Sequence, residues 1–442
     1  MNKKINTLVI GNNIASFLTA TQILKSGFGA IYLKDKRIKE SDPYFKFFGP
    51  LDLSFIKTWA EDLELETNIF DEDSFVHSPF YLKFNGKQIL CAGLSPYLNF
   101  SQICRHFPEL YNEFINRLNI EDVDQEKFDQ DFTSSIKRLG ESLCRYKTFH
   151  QVTVSTLRSD LPNYIYDIYT LFKKHLRENK ELEKFTSCFR CVYTKTLEQT
   201  FSDLESIYFF ILMLSPRYRF QWQEYKEEQA TKTIESLGGS SFEDIAEEFS
   251  FASKRPWAVQ LSSFTGVVAP QKIAIFSSNL DKLNISHNIT DLYRCVKLDY
   301  RLNDKLISAD YYHFSEISFG GDIALVRKEI LEDRICQIKI FKQFDDCLKY
   351  NFCEQELHEL LLANDIIDEN DTLIKGRLTN ETCMLRNHSV INSSSKINLK
   401  FRMADSGKYD SVKGVYYQGP LKKNNLGITQ TLLEARDFKT YL

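Results

Sequence analysis

The sequence predicts an α/β protein in which a parallel-sheet domain is interleaved with a second, mixed α+β domain. Three observations carry this. A short β-type run at 7–10 leads into Gly11 and a helical stretch at 15–25, and 30–33 then reads as a second strand. Strand, tight turn, helix and strand within about 30 residues make a βαβ unit. From about 50 to 230 the pattern changes to long amphipathic helices, and strand-like runs return beyond it. The 442 residues contain no flexible linker, which predicts two domains joined by several crossings.

Taken in order, Gly27 ends the first helix, and 101–118 and 159–179 place apolar residues at helical spacing with charges opposite. The run IYFFILML at 207–214 is far short of the ~20 residues that span a bilayer, so it predicts a buried helix or a cavity wall. The block 235–278 predicts a double glycine, a helix, and strands near 258–261 and 272–276. Further strands are expected at 306–315 and 335–342 and a helix at 354–362. The last stretch, 414–438, reads as strand, glycine turn, loop and final helix.

Composition excludes several classes. A net charge of −4 gives no electrostatic case for nucleic acid or an anionic membrane. Ten cysteines at irregular spacing form neither a disulfide framework nor a zinc cluster, and Cys188 and Cys191 read as two thiols on a helix. With no secretory signal in the opening residues, the expected setting is reducing and cytoplasmic, without a transmembrane segment. Eight histidines show no metal-ligand spacing, and aromatics at 14% predict an aromatic-rich core or ligand cavity.

Four places in the chain together resemble one family. These are GNNIAS at 11–16, Gly238-Gly239, Ala309-Asp310 and Gly419-Pro420 ahead of a closing helix. Their order and spacing are similar to the flavoproteins of the amine oxidase and phytoene desaturase type, whose non-oxidising relatives are the Rab GDP-dissociation inhibitors. The resemblance implies an FAD/NAD(P)-binding, Rossmann-like domain from 1–60, 231–320 and 401–442. It also implies a substrate- or partner-binding domain from 61–230 and 321–400. The cofactor would be FAD, held by Gly11, Asn13, Ile14, Ser16, Lys34, Asp35, Arg37, Gly419, Gly427 and Ile428.

Gly11 supplies the first glycine of the family pattern, and several of the other contacts depart from it. The glycine that lets backbone approach the pyrophosphate is Asn13, and the third glycine is Ser16. The acidic position that holds the ribose falls on Lys34, so either Asp35 serves after a one-residue slip or the ribose site is gone. Lys34 with Arg37 would suit a ribose phosphate, as in NADP binding. Pro420 stands where the family has an aspartate, and the helix beginning near 426–429 is left to face an anion with its N-terminus. No catalytic residue is identified. His313 near a strand exit, the Arg217-Tyr218-Arg219 cluster as a carboxylate or phosphate binder, and Tyr416-Tyr417 as cavity lining or strand core are the further candidates. Three functional readings follow. One is a non-oxidising binding or accessory protein for a partner protein or for an apolar or aromatic small molecule. The second is an FAD-dependent oxidoreductase acting on an amine or an unsaturated, lipid-like substrate. The third is an NADP-type reductase.

Overall fold

The computed structural model describes residues 5–38, 45, 47–65, 67–70, 72–84, 86–118, 124–194, 197–198, 202–220, 224–263, 267–277, 283, 286–287, 292–302, 310–319, 322–330, 335–342, 353–386, 399–402, 409–411, 413–418 and 426–438. Ala309, Gly419 and Pro420 lie outside them.

Five strands form a wholly parallel sheet. In sheet order they are Val415–Gln418, Lys272–Phe276, Ile5–Ile10, Gly29–Asp35 and Ser240–Asp244. The first strand of the chain is central, and strand order runs outward from it in both directions, which is the Rossmann-like arrangement. Its residues Leu8, Val9 and Ile10 are fully buried because both faces of the sheet are covered. Leu8 and Ile10 pack with Ile31, Leu33, Ile273 and Ile275 beneath an antiparallel sheet of Ala246–Ala252, Arg255–Leu261 and Val267–Val268. Val9 joins Tyr32, Ala274 and Phe276 on the helical side.

The crossover helix Ile14–Lys25 stops where the sequence says it should. Gly27 takes φ +85°, and the Gly27 and Phe28 amides return to Leu24 and Ile23, a left-handed C-terminal cap. The apolar run lies in helix Asp203–Leu214, buried along nearly its whole length and started by a Ser202–Glu205 capping box.

The second unit is an eight-stranded sheet. Its order is Lys87–Cys91, Phe80–Phe84, Asp310–Phe319, Asp322–Ile330, Ile335–Lys342, Leu292–Arg301, Thr372–Arg386 and Leu197–Glu198. Strands Leu292–Arg301 and Asp310–Phe319, expected within the first domain, therefore pair in this second sheet. The single helix expected over 101–118 is two, Pro96–Arg105 and Pro108–Leu118, because Pro108 lacks the N–H that would continue the first. The second expected helix begins at Asn163, just after Pro162.

After the double glycine the chain makes strands Ser240–Asp244 and Ala246–Ala252, where a helix was expected. The helix comes before, at Glu224–Ser236. Gly238 adopts φ +77°, and a Cβ on Gly239 would lie 2.7 Å from Leu24 and 3.1 Å from the Ala30 carbonyl. The pair lets the chain turn and pass tightly beside the βαβ unit.

Candidate dinucleotide cradle

In an open parallel sheet the ligand crevice lies beyond the carboxyl ends of the strands where the order reverses. Here that point is Gly11, after strand Ile5–Ile10, beside Phe276 at the end of the adjacent strand. A Cβ on Gly11 would come within 2.9 Å of Ser16 and Phe276, so this turn does require glycine. The Gly11 amide donates to the Leu33 carbonyl at 3.0 Å.

Asn13 is the N-cap of the crossover helix, in extended backbone. Its Oδ1 accepts the Ser16 amide at 3.0 Å, and the Asn13 amide donates to Ser16 Oγ at 3.2 Å. This capping box takes the helix N–H that a phosphate oxygen would otherwise receive. Ser16 Oγ also donates to the Asn13 carbonyl at 2.7 Å. Asn13 Nδ2 is buried and has no hydrogen-bond acceptor among the described residues. Ile14 points into the core.

At the end of the second strand, Asp35 is fully buried and faces inward. Its Oδ1 accepts from the Arg37 amide and Arg37 Nε, both at 2.9 Å. Its Oδ2 accepts from Arg37 Nη2 at 2.7 Å and the Ala246 amide at 3.0 Å. Four donors fill the lone-pair capacity of a carboxylate, leaving none for ribose hydroxyls. Arg37 Nη2 further donates to the Ala246 carbonyl at 2.7 Å. Lys34 Nζ meets Glu227 Oε1 at 2.7 Å. Asp244, beside Asp35 in register, is held down to about 2: burial works to raise it, and hydrogen bonds from Ser262, Ser263 and Ile245 outweigh that.

The closing helix Gly427–Arg436 also presents its N-terminus to protein. Gly427 adopts φ +57°, and both it and Ile428 are buried. Thr429 Oγ1 donates to Asp52 Oδ1 and lies 2.8 Å from Tyr208 Oη. Asp52 Oδ2 accepts the Gly49 amide at 2.8 Å and so caps helix Pro50–Asp62 as well. Burial pushes the Asp52 carboxyl up to about 6, against the hydrogen bonds from Thr429 and Gly49. Sequence reasoning missed Asp52. Its local signal was GPLD at 49–52, glycine and proline at a helix start with an acid at the third helical position.

Gly11, Asn13, Ile14, Ser16, Asp35, Gly427 and Ile428 are thus all buried against protein. Gly11 keeps the turn of a dinucleotide fold. The helix amide, the strand-end carboxylate and the lysine beside it are each engaged internally. These residues do not fit the conventional contacts to FAD.

The remaining sequence candidates lie elsewhere. Arg217 is fully buried, with its guanidinium 3.9 Å from the Phe47 ring and 4.4 Å from the Phe80 ring. It donates to the Ser78 carbonyl at 2.8 Å and to Asp310 Oδ2 at 2.6 Å. Tyr218 and Arg219 lie on strand Tyr218–Phe220, paired with Phe47–Phe48 and Phe75–His77. His313 is buried in the large sheet, 2.7 Å from Ser315 Oγ. Burial, then Lys83 and Lys328, push it down to about 4 and keep it neutral. Cys188 and Cys191 are buried thiols on helix Lys180–Thr194. Tyr416 packs edge-on against Phe438, and Tyr417 is buried in the sheet. Among the described residues there is no group of three metal-binding side chains, and no helix is long and apolar enough to cross a membrane.

No protein-family model matches the chain, and no curated protein matches it. Solved structures similar to it include an oxidoreductase from Methanosarcina mazei (10% identity, 99% of this chain and 100% of that one, TM-score 0.47). Two others are a Rab GDI from Plasmodium falciparum (9% identity, 99% and 98%, TM-score 0.45) and p-nitrophenol 4-monooxygenase from Pseudomonas putida DLL-E4 (9% identity, 100% and 79%, TM-score 0.40). The strand order and the crossover helix define the fold: a Rossmann-like parallel-sheet domain interleaved with a mixed α+β domain.

Proposed function

We propose that this chain uses a flavoprotein fold without flavin chemistry, as a binding or accessory protein for a partner protein or an apolar ligand. The observation that carries this reading is the saturation of Asp35. A carboxylate with four internal donors, fully buried, has no acceptor left for a ribose. Asn13 capping its own helix and Lys34 paired with Glu227 support it.

The second reading, an FAD-dependent oxidoreductase with a non-standard site, is favoured by Gly11 and by the buried Asn13 Nδ2 without an acceptor among the described residues. The visible spectrum of the purified protein separates the two. Colourless protein whose Tm does not rise with added FAD is the expected result. Bound flavin, seen by its absorption bands and released on denaturation, would overturn it. If the protein is colourless, extraction and mass spectrometry of co-purifying lipid or protein identifies the ligand class.

A further inference from the structure

The antiparallel sheet over the parallel one carries a feature that the net charge conceals. Its hairpin, Ala246–Ala252 and Arg255–Leu261, turns through Ser253 and Lys254 with Ala252 opposite Arg255. Both turn residues have positive φ, +49° and +62°. A two-residue turn of this hand favours Asn-Gly, because other residues strain there. Lys254 therefore stands where glycine would be more stable, and what it adds is an ammonium at the tip.

Other cations join it. Arg255 is exposed on the same hairpin. Exposed Lys413, over 150 residues further along the chain, donates its amide to the Lys254 carbonyl at 2.7 Å. Trp257, two residues along the strand from Arg255, is 66% exposed. The exposed acids of this hairpin, Glu247 and Glu248, sit at the opposite end from the turn.

We propose that this hairpin tip docks on an anionic phospholipid surface, with the Trp257 indole at the headgroup level and Lys254, Arg255 and Lys413 facing lipid phosphates and carboxylates. An indole is one of the side chains that settles at a membrane interface, apolar in body and polar at its N–H. Lysine and arginine beside it keep their stems on apolar surface and their charges in the headgroup layer. This inference stands apart from the flavin question, since none of these residues belongs to the cradle.

The test is co-sedimentation of the whole chain with phosphatidylcholine vesicles, with and without phosphatidylserine, at low and high salt. Binding is expected to the serine-containing vesicles alone and to weaken with salt. Arg255→Glu or Lys413→Glu should weaken it at least fivefold, about 1 kcal/mol for each charge lost. Trp257→Ala should abolish it. Lys254→Gly should weaken binding about fivefold while raising Tm, because glycine relieves the turn, so that loss cannot be ascribed to misfolding. Absence of wild-type binding to the anionic vesicles overturns the proposal, as does binding that none of these variants changes. Binding that needs the cations but survives Trp257→Ala would be general polyanion association, and would overturn the membrane assignment.

Discussion

Two helices present their N-termini at or near the crevice of the parallel sheet, and the chain treats them differently. Helix Ile14–Lys25 is capped locally, by the side chain of the residue just before it. Helix Gly427–Arg436 has no side-chain cap bond at its N-cap, and the Thr429 hydroxyl of its first turn donates to Asp52, 377 positions away. A helix N-terminus attracts an anion or an acceptor because its first amides lack partners. At one end an amide is answered by a neutral carboxamide; at the other a threonine hydroxyl meets a carboxylate from another helix. The comparison shows one helix start satisfied from within by its own N-cap and the other tied to a distant carboxylate through a side-chain hydroxyl. It also predicts that the strand-end acid, the Asn13 cap and Asp52 respond to mutation in distinct ways.

The largest effect should come from Asp35, the acid that a ribose would have used. Asp35→Ala strips its counter-charge from Arg37, whose side chain is 20% exposed, and leaves the Ala246 amide without its acceptor. Removing one partner of a buried, hydrogen-bonded pair costs about 3–5 kcal/mol, and urea unfolding should show a loss of that order. A loss below about 1 kcal/mol, the range of an exposed pair, would mean that Asp35 is not a structural keystone and would reopen the ribose site.

Asp52 should give the next effect, with a definite sign in pH. Its carboxyl is raised from 3.8 to about 6, so the folded protein holds a proton that the unfolded chain has already released across that interval. Stability from this group is complete below about pH 4 and falls as pH rises through about 6, by at most about 3 kcal/mol. Asp52→Asn cannot titrate, so the difference between wild type and variant should slope between pH 4 and 6 and be flat above about 7. A difference that is flat throughout would show that Asp52 is not desolvated. The fold would then tolerate its charge as well as water does.

Asn13 should matter less. Asn13→Ala removes the side-chain half of the capping box and should cost about 1 kcal/mol, whereas Asn13→Gly should cost only a few tenths. The glycine variant also restores the bare backbone of a phosphate turn. If the side chain alone kept dinucleotides out, FAD would raise the Tm of Asn13→Gly and leave wild type unmoved. With Asp35 and Lys34 still engaged, no FAD-dependent shift is expected in either.

What was legible in the sequence was local. The βαβ unit, the Gly27 stop and the buried helix near 207–214 depend on residues a few positions apart, and the structure has them. What was not legible is pairwise and distant. Asp35 reads as a ribose ligand until Ala246 arrives from 211 positions away, and Lys34 reads as a phosphate ligand until Glu227 does from 193 away. The strands after Gly239 look helical in composition. They are strands because Gly29–Asp35 offers a parallel partner to Ser240–Asp244, and Arg255–Leu261 an antiparallel one to Ala246–Ala252. Sheet propensity is decided by such neighbours more than by the residues themselves.

The smallest predicted effect settles the last alternative. Lys34 is 13% exposed and its partner Glu227 is 40% exposed, so the pair is part screened by water. Lys34→Ala should therefore cost less than about 1 kcal/mol. A reductase using Lys34 and Arg37 on a ribose phosphate would gain stability from NADP, and Lys34→Ala would cancel that gain without unfolding the protein. Arg37 is committed to Asp35 by three donors, its amide and two guanidinium nitrogens. The pair of cations that would grip a phosphate is therefore already divided between two internal carboxylates, and NADP should leave the wild-type Tm unchanged. A Tm that rises with NADP and not with NAD would show that Lys34 leaves Glu227 on binding, and would restore the third reading.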